Sequence, residues 1–156
     1  MKYYELTFDQ FILRPIDTVF AFFEKPENLE KITPTRLGFK ILSPQPIQME
    51  EGRVIDYCIR IMGIPVLWRT LITSYDPPNS FVDEQIKGPY SLWQHAHIFR
   101  SENGGTSIRD HIRYVIPLGM VGKLANVVWV RNDVKDIFNY RKKIIEEVFC
   151  DKLTYK

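Results

Sequence analysis

From Tyr3 to Leu13 apolar and polar residues alternate, the period of a strand with one buried face. The pattern changes at Pro15-Ile-Asp-Thr18, where a proline suited to helix entry precedes Val19, Phe20, Phe22 and Phe23 at helical crowding. Pro26-Glu-Asn-Leu-Glu-Lys31 predicts a second short helix, stopped at Thr33-Pro34 because the residue before a proline avoids the helical region. Six strands are expected next, near 38–42, 53–62, 64–75, 81–87, 91–101 and 106–116. Short Pro/Gly punctuation separates them: Pro44-Gln-Pro46, Met62-Gly63, Asp76-Pro-Pro-Asn79, Gly88-Pro89 and Asn103-Gly-Gly105. Beyond Gly119, Val127, Val130, Val134, Ile137, Ile144 and Val148 recur at helical spacing, with Leu124, Phe138 and Ile145 beside them. This predicts one long amphipathic helix to Phe149, although Val127-Val-Trp-Val130 alone would pass for a strand.

The predicted order is β, α, α, six strands, then a long C-terminal helix, an α+β chain. A sheet of seven strands buries its inner face only by curling around that helix, which leaves a grip with a space between them. One domain spanning 1–156 is expected from the length and the absence of any linker, repeat or low-complexity tract.

Counting outward from the turns gives register. If Met62-Gly63 is a two-residue turn, Tyr57 lies opposite Trp68, on the face that also holds Ile55 and Ile59. If Glu102 to Gly105 is a four-residue loop, Ser101 pairs with Thr106, so that Phe99 faces Ile108, His97 faces Asp110, His95 faces Ile112 and Trp93 faces Tyr114. His95 and His97 share strand parity with Trp93 and Phe99, so both imidazoles are expected inside. With residues 88–90 as a loop, Asp83 faces His95 and Gln85 faces Trp93. A shift of two would move Asp83 to His97, and the opposite phase would send Val82, Glu84 and Ile86 inward.

Asp83, Gln85, His95, His97, Asp110 and Tyr114 are thus expected to form a polar cluster in an aromatic interior. That interior draws on 10 Phe, 8 Tyr and 3 Trp, enough for a chamber as well as a solid core. The cluster reads either as a structural hydrogen-bond network or as the anchor of a ligand in an apolar pocket. Two histidines and a carboxylate on one face are also the minimal facial metal triad. The imidazoles are only about 7 Å apart along the strand, and the carboxylates compete for them, so no metal is expected. Cys58 has outward parity, and no serine stands in a nucleophile turn. Arg141 interrupts the apolar row of the last helix. It is expected to reach the chamber's end, to pair with Asp83 or Asp110, or to meet a ligand head group. Trp68 and Trp93 are expected as chamber walls, Trp129 as core packing or a surface contact.

Charge narrows the partners. The net +2 comes from 21 basic and 19 acidic residues spread along the chain, which leaves no footprint for nucleic acid. Arg141-Lys142-Lys143, followed by Glu146 and Glu147, reads as a solvated helix face. Neither a signal segment nor an apolar run of membrane-spanning length is visible. Cys58 and Cys150 form no disulfide framework, so a reducing cytoplasm is the expected compartment.

Several runs carry a family resemblance: Phe22-Phe-Glu-Lys-Pro-Glu-Asn-Leu-Glu-Lys-Ile-Thr-Pro34, Gly63-Ile-Pro-Val-Leu-Trp68, Asp76-Pro-Pro78, Phe81-Val-Asp-Glu-Gln-Ile-Lys-Gly-Pro89, Trp93-Gln-His-Ala-His-Ile-Phe99 and Phe138-Asn-Tyr-Arg141. In these the chain resembles the SRPBCC superfamily of START-related, birch-pollen-allergen-like helix-grip proteins. Within it the similarity is to small bacterial members grouped with polyketide cyclases and coenzyme-Q-binding proteins. The resemblance implies a single START-like ligand-binding domain, without a cofactor, for a lipid, quinone or polyketide-like molecule. The expected binding residues are Tyr57, Trp68, Asp83, Gln85, Trp93, His95, His97, Asp110, Ile112, Tyr114, Phe138 and Arg141. The two short helices, with the Pro44–Pro46 and Pro77–Pro78 loops, would frame the entrance. The alternatives are a cyclase or dehydratase that moves protons with His97, Asp110 and His95, and a regulatory module with a vestigial cavity. Paired rather than isolated acids and bases favour binding over catalysis.

Overall fold

The computed structural model describes residues 3–150, with the side chains of Lys123, Asn126 and Val127 outside that description. Alternating apolar residues form β1 (Tyr4–Ile12), followed by α1 (Ile16–Phe23), which Pro15 enters without a side-chain cap. The segment expected as a second helix is tighter and shorter, a 3-10 turn over Pro26–Leu29, with another over Thr35–Leu37. Three-residue turns suit so short a run between two prolines. The strands are β2 (Lys40–Ile41), β3 (Val54–Ile61), β4 (Ile64–Asp76), β5 (Ser80–Lys87), β6 (Leu92–Glu102) and β7 (Gly105–Val115). They make one antiparallel sheet in the order β1-β7-β6-β5-β4-β3-β2.

Two turns lock the register. Met62 and Gly63 (φ 52° and 80°), and Asn103 and Gly104 (φ 49° and 75°), both adopt left-handed backbone, the twist that two-residue hairpins require. Tyr57 accordingly lies opposite Trp68, and His97 opposite Asp110. Asp83 lies opposite His95, so the inward phase of β5 is the one that carries Asp83. Of two irregularities between β4 and β5, the one at 69/70 leaves Ile86 of β5 unpaired, and the one at 72/74 leaves Thr73 unpaired and changes which parity of β4 faces in: Trp68, Thr70 and Ile72 before it, Tyr75 after it.

The C-terminal helix is not one uniform rod. It begins as α2 (Gly119–Ala125), widens into a π turn over Asn126–Val130, and continues as α3 (Arg131–Cys150). The stripe buried by α3 is Val134, Phe138, Arg141, Ile145 and Phe149, while Ile137, Ile144 and Val148 flank it half-buried. Val130, Val134 and position 141 of the expected row face inward, but beyond Val134 the inward places are taken by Phe138, Ile145 and Phe149 rather than by Ile137, Ile144 and Val148.

The core divides in two. Val19, Phe20 and Phe23 of α1 pack with Phe81, Phe99, Ile145 and Phe149 at one end. Leu6, Ile112, Tyr114, Val134 and Phe138 pack at the other. The histidines stand between these clusters. His97 stacks on Phe81 at 4.1 Å, and His95 meets Phe138 edge-on at 5.3 Å. Curved sheet, short elements and gripping helix together make the helix-grip fold.

Candidate functional site

Strands β3 to β6 and the helix enclose a cavity of about 340 Å³. Its wall is apolar and aromatic: Phe39, Ile55, Ile59 and Trp93 line it, and Tyr57 stacks on Trp68 with ring centroids 5.9 Å apart. That volume and lining are those of a small-molecule site.

One wall is polar. Asp83 Oδ2 lies 2.9 Å from His97 Nε2 and 3.6 Å from His95 Nδ1. Asp110 Oδ1 lies 2.8 Å from His95 Nε2 and 3.1 Å from His97 Nδ1. The aligned hydrogen bonds are His97 with Asp83 and His95 with Asp110. His97 Nδ1 and Asp110 lie close but off the hydrogen-bond line, so that contact is one of charge alone. The register thus places His97 opposite Asp110 as expected, while the good bonds run diagonally. Both rings are 4% exposed, with centroids 3.7 Å apart and planes tilted by 37°.

Burial and pairing pull these groups in opposite directions. Burial would raise the Asp110 and Asp83 carboxyls, but the histidine contacts outweigh it and hold both below the ordinary 3.8. Burial would lower both imidazoles. In His97 the two carboxylates overcome it and raise the pKa, whereas in His95 burial, reinforced by the charge of His97, keeps it lowered. Tyr57 is pushed up, first by burial and then by the charge of Asp83.

Of the residues expected at the site, Tyr57, Trp68, Asp83, Trp93, His95, His97, Phe138 and Arg141 line the cavity. Asp110 stands behind the histidines, facing a smaller recess between β1 and α3. Three do not reach the cavity. Ile112 and Tyr114 are fully buried in the core cluster that α3 closes over β7. Gln85 is spent on the turn, its amide bonded to the Tyr90 backbone at 2.7 and 3.2 Å. The Pro44–Pro46 and Pro77–Pro78 loops are also not part of the lining, which instead includes Phe22, Pro26, Leu29, Ile32 and Leu37 from α1 and the 3-10 turns. Trp129, expected in the core or at the surface, lines the cavity while 39% exposed. Sequence reasoning missed Thr70, whose hydroxyl meets Tyr57 at 3.3 Å; its register opposite Ile55 was available once Tyr57 and Trp68 were paired.

Arg141 forms neither of the ion pairs expected of it. It is 9% exposed, its Nε has no hydrogen-bond partner among the described residues, and no carboxylate there comes within ion-pair distance. Its contact is with the Phe138 ring, 4.6 Å from the guanidinium carbon. The solvated face of that helix begins one residue later, with Lys142 and Lys143; Lys143 approaches Glu147 at 4.0 Å.

Ligand atoms of Asp83, His95 and His97 lie within 4.8 Å of one another, a spacing that a metal ion could bridge. Asp110 and Asp83 already take the Nε2 atoms of His95 and His97 as hydrogen-bond partners, at 2.8 and 2.9 Å, and so compete with an ion for them. Among the described residues no helix is long and apolar enough to cross a membrane.

No protein-family model and no curated protein matches the chain. Solved structures do match. A protein of Thermus thermophilus, TTHA0849, is 17% identical with a TM-score of 0.70, covering 96% of this chain and 99% of its own. The ginseng (Panax ginseng) major latex-like protein 151 is 14% identical with a TM-score of 0.69, over 94% and 97%. Ms6760 of Mycobacterium smegmatis is 16% identical with a TM-score of 0.67, over 95% and 92%. Likeness at such identity establishes a common helix-grip fold over nearly the whole chain and nothing finer.

Proposed function

We propose that this protein binds a small or medium-sized hydrophobic molecule, of lipid, quinone or polyketide-like type, in the cavity between sheet and helix. The observation that carries the reading is the cavity itself, about 340 Å³ of aromatic and aliphatic wall with its polar groups gathered on one side. Burial of apolar area supplies the affinity and the polar wall the orientation.

Catalysis by the same wall is less well supported. The Nε2 atoms of His95 and His97 are each hydrogen-bonded to a carboxylate, at 2.8 and 2.9 Å, and both carboxylates are spent on these bonds, so the cluster offers paired rather than isolated acids and bases. The test is native mass spectrometry of the protein purified from its own host, with displacement of a neutral solvatochromic probe such as Nile red. A co-purifying hydrophobic molecule that displaces the probe supports binding. A probe that enters no better than it enters an unrelated protein overturns it.

A further inference from the structure

The lining of the cavity holds polar groups without a partner, and they are donors. Trp68, 5% exposed, has an indole N–H with no acceptor among the described residues. Arg141, which also lines the cavity, has a buried Nε–H in the same condition. The acids that face Arg141 are Asp83 from β5 and Asp110 from β7, and Tyr57 faces it from β3. Neither acid makes contact, because each is committed to a histidine at 2.8 or 2.9 Å. Tyr57 shares its hydroxyl with Thr70. A permanently charged side chain is therefore largely buried with its Nε–H unpaired and the face of Phe138 against it, an arrangement that is costly until an acceptor arrives.

We infer that the ligand carries a carboxylate head and that Arg141 is its docking residue. This rests on the proposed function and narrows it. A carboxylate matches the planar fork with two parallel bonds. A dianionic phosphate would bring a second negative charge toward Asp83 and Asp110, whereas a monoanion replaces the contact partner that Arg141 lacks. The apolar tail lies along Ile55, Ile59 and Trp68, and the indole N–H of Trp68 is a further donor to oxygen on the ligand.

Three probes of equal length separate head from tail: dodecanoate, methyl dodecanoate and dodecanol, titrated calorimetrically at neutral pH. The parent is expected to bind dodecanoate more tightly than the ester by at least about tenfold, the worth of one charge-assisted hydrogen bond. In Arg141→Gln the acid should lose that advantage while ester and alcohol bind as before, and Arg141→Lys should retain part of it. Equal binding of acid and ester by the parent, or an acid preference that survives Arg141→Gln, overturns the assignment and leaves the cavity reading standing. If none of the three probes binds the parent, both readings fall together. Should Arg141→Gln not fold, as judged by circular dichroism, the parent's acid-to-ester ratio and its change in Arg141→Lys decide the matter.

Discussion

His95 and His97 lie against each other, ring centroids 3.7 Å apart and planes tilted by 37°, and each is hydrogen-bonded to a different aspartate on a different neighbouring strand. A spacing of two on β6 brings the rings onto one face, and the strands on either side supply one carboxylate each. The result is a closed ring of four side chains in which Asp83 and Asp110 each touch both imidazoles.

Stacked imidazoles do not share protonation equally. His97 is expected to titrate above its ordinary 6.5 and His95 below it, as two steps of a coupled pair read from imidazole NMR signals against pH. The stabilising contribution of His97 is complete below 6.5 and fades as pH rises through its raised value. That of a neutral, buried His95 is lost in the opposite direction, as pH falls from 6.5 toward its lowered value. The carboxylates contribute above 3.8, and their share disappears as pH falls through their lowered values. Two steps both above 6.5 would show that the carboxylates are shared evenly.

Breaking the ring should cost more than replacing it. His95→Phe leaves Asp110 buried without its 2.8 Å bond and is expected to lose about 3–5 kcal/mol in urea unfolding. His95→Phe combined with Asp110→Leu should recover a substantial part of that loss. A double variant as unstable as the sum of the single changes would count against the pairing.

Filling the cavity should spare the fold. Ile59→Trp adds volume into open space, so a neutral apolar probe should bind at least about tenfold more weakly with little change in melting temperature. Ile112→Trp is the control, because Ile112 sits in closed core; overpacking there is expected to cost about 1–3 kcal/mol. Unchanged probe affinity in Ile59→Trp would place binding elsewhere.

At the second hairpin, Gly105 and Gly104 should respond for different reasons. A Cβ on Gly105 would stand 2.5 Å from the Ile12 carbonyl oxygen and 2.6 Å from the Phe11 ring, so Gly105→Ala should push β1 away from β7 and destabilise by about 1–3 kcal/mol. Gly104→Ala meets open space but keeps φ at 75°, costing about 1 kcal/mol. Chemical denaturation of both variants checks the order, and a Gly104 change costlier than Gly105 would contradict it.

The register of β3 to β4 and β6 to β7 was legible because both hairpins turn on two residues with left-handed backbone, and a two-residue turn fixes every pair behind it. The direction of the His–Asp bonds was not legible. Opposition across a ladder is a matter of Cα positions, whereas long side chains on one face also reach the diagonal neighbour. The face change along β4 was hidden for a different reason, since the irregular register at 72/74, where Thr73 goes unpaired, breaks the alternation on which parity counting depends. The π turn over Asn126–Val130 leaves no mark in an apolar run read at a constant 3.6 residues per turn, and spacings of three and four do not tell Ile137 from Phe138, or Ile144 from Ile145, as the inward residue of α3. Arg141 was visible as a break in that row. That it would stand without a carboxylate partner depended on Asp83 and Asp110 being taken by the histidines, which only the assembled sheet reveals.

The two borders of the sheet differ, and together they limit self-association. At one side β2 offers only Lys40 and Ile41 as a template, too short for another chain to add a strand. At the other, β1 is a full nine residues, but Glu5 and Asp9 punctuate its exposed positions and Gln10 is tied across to the Lys142 carbonyl at 2.8 Å. Charges along a border, and a helix fastened beside it, are how open sheets resist edge-to-edge growth. A flat sheet this wide would present long straight borders to another chain, so the curl that encloses the cavity also bends those borders out of line.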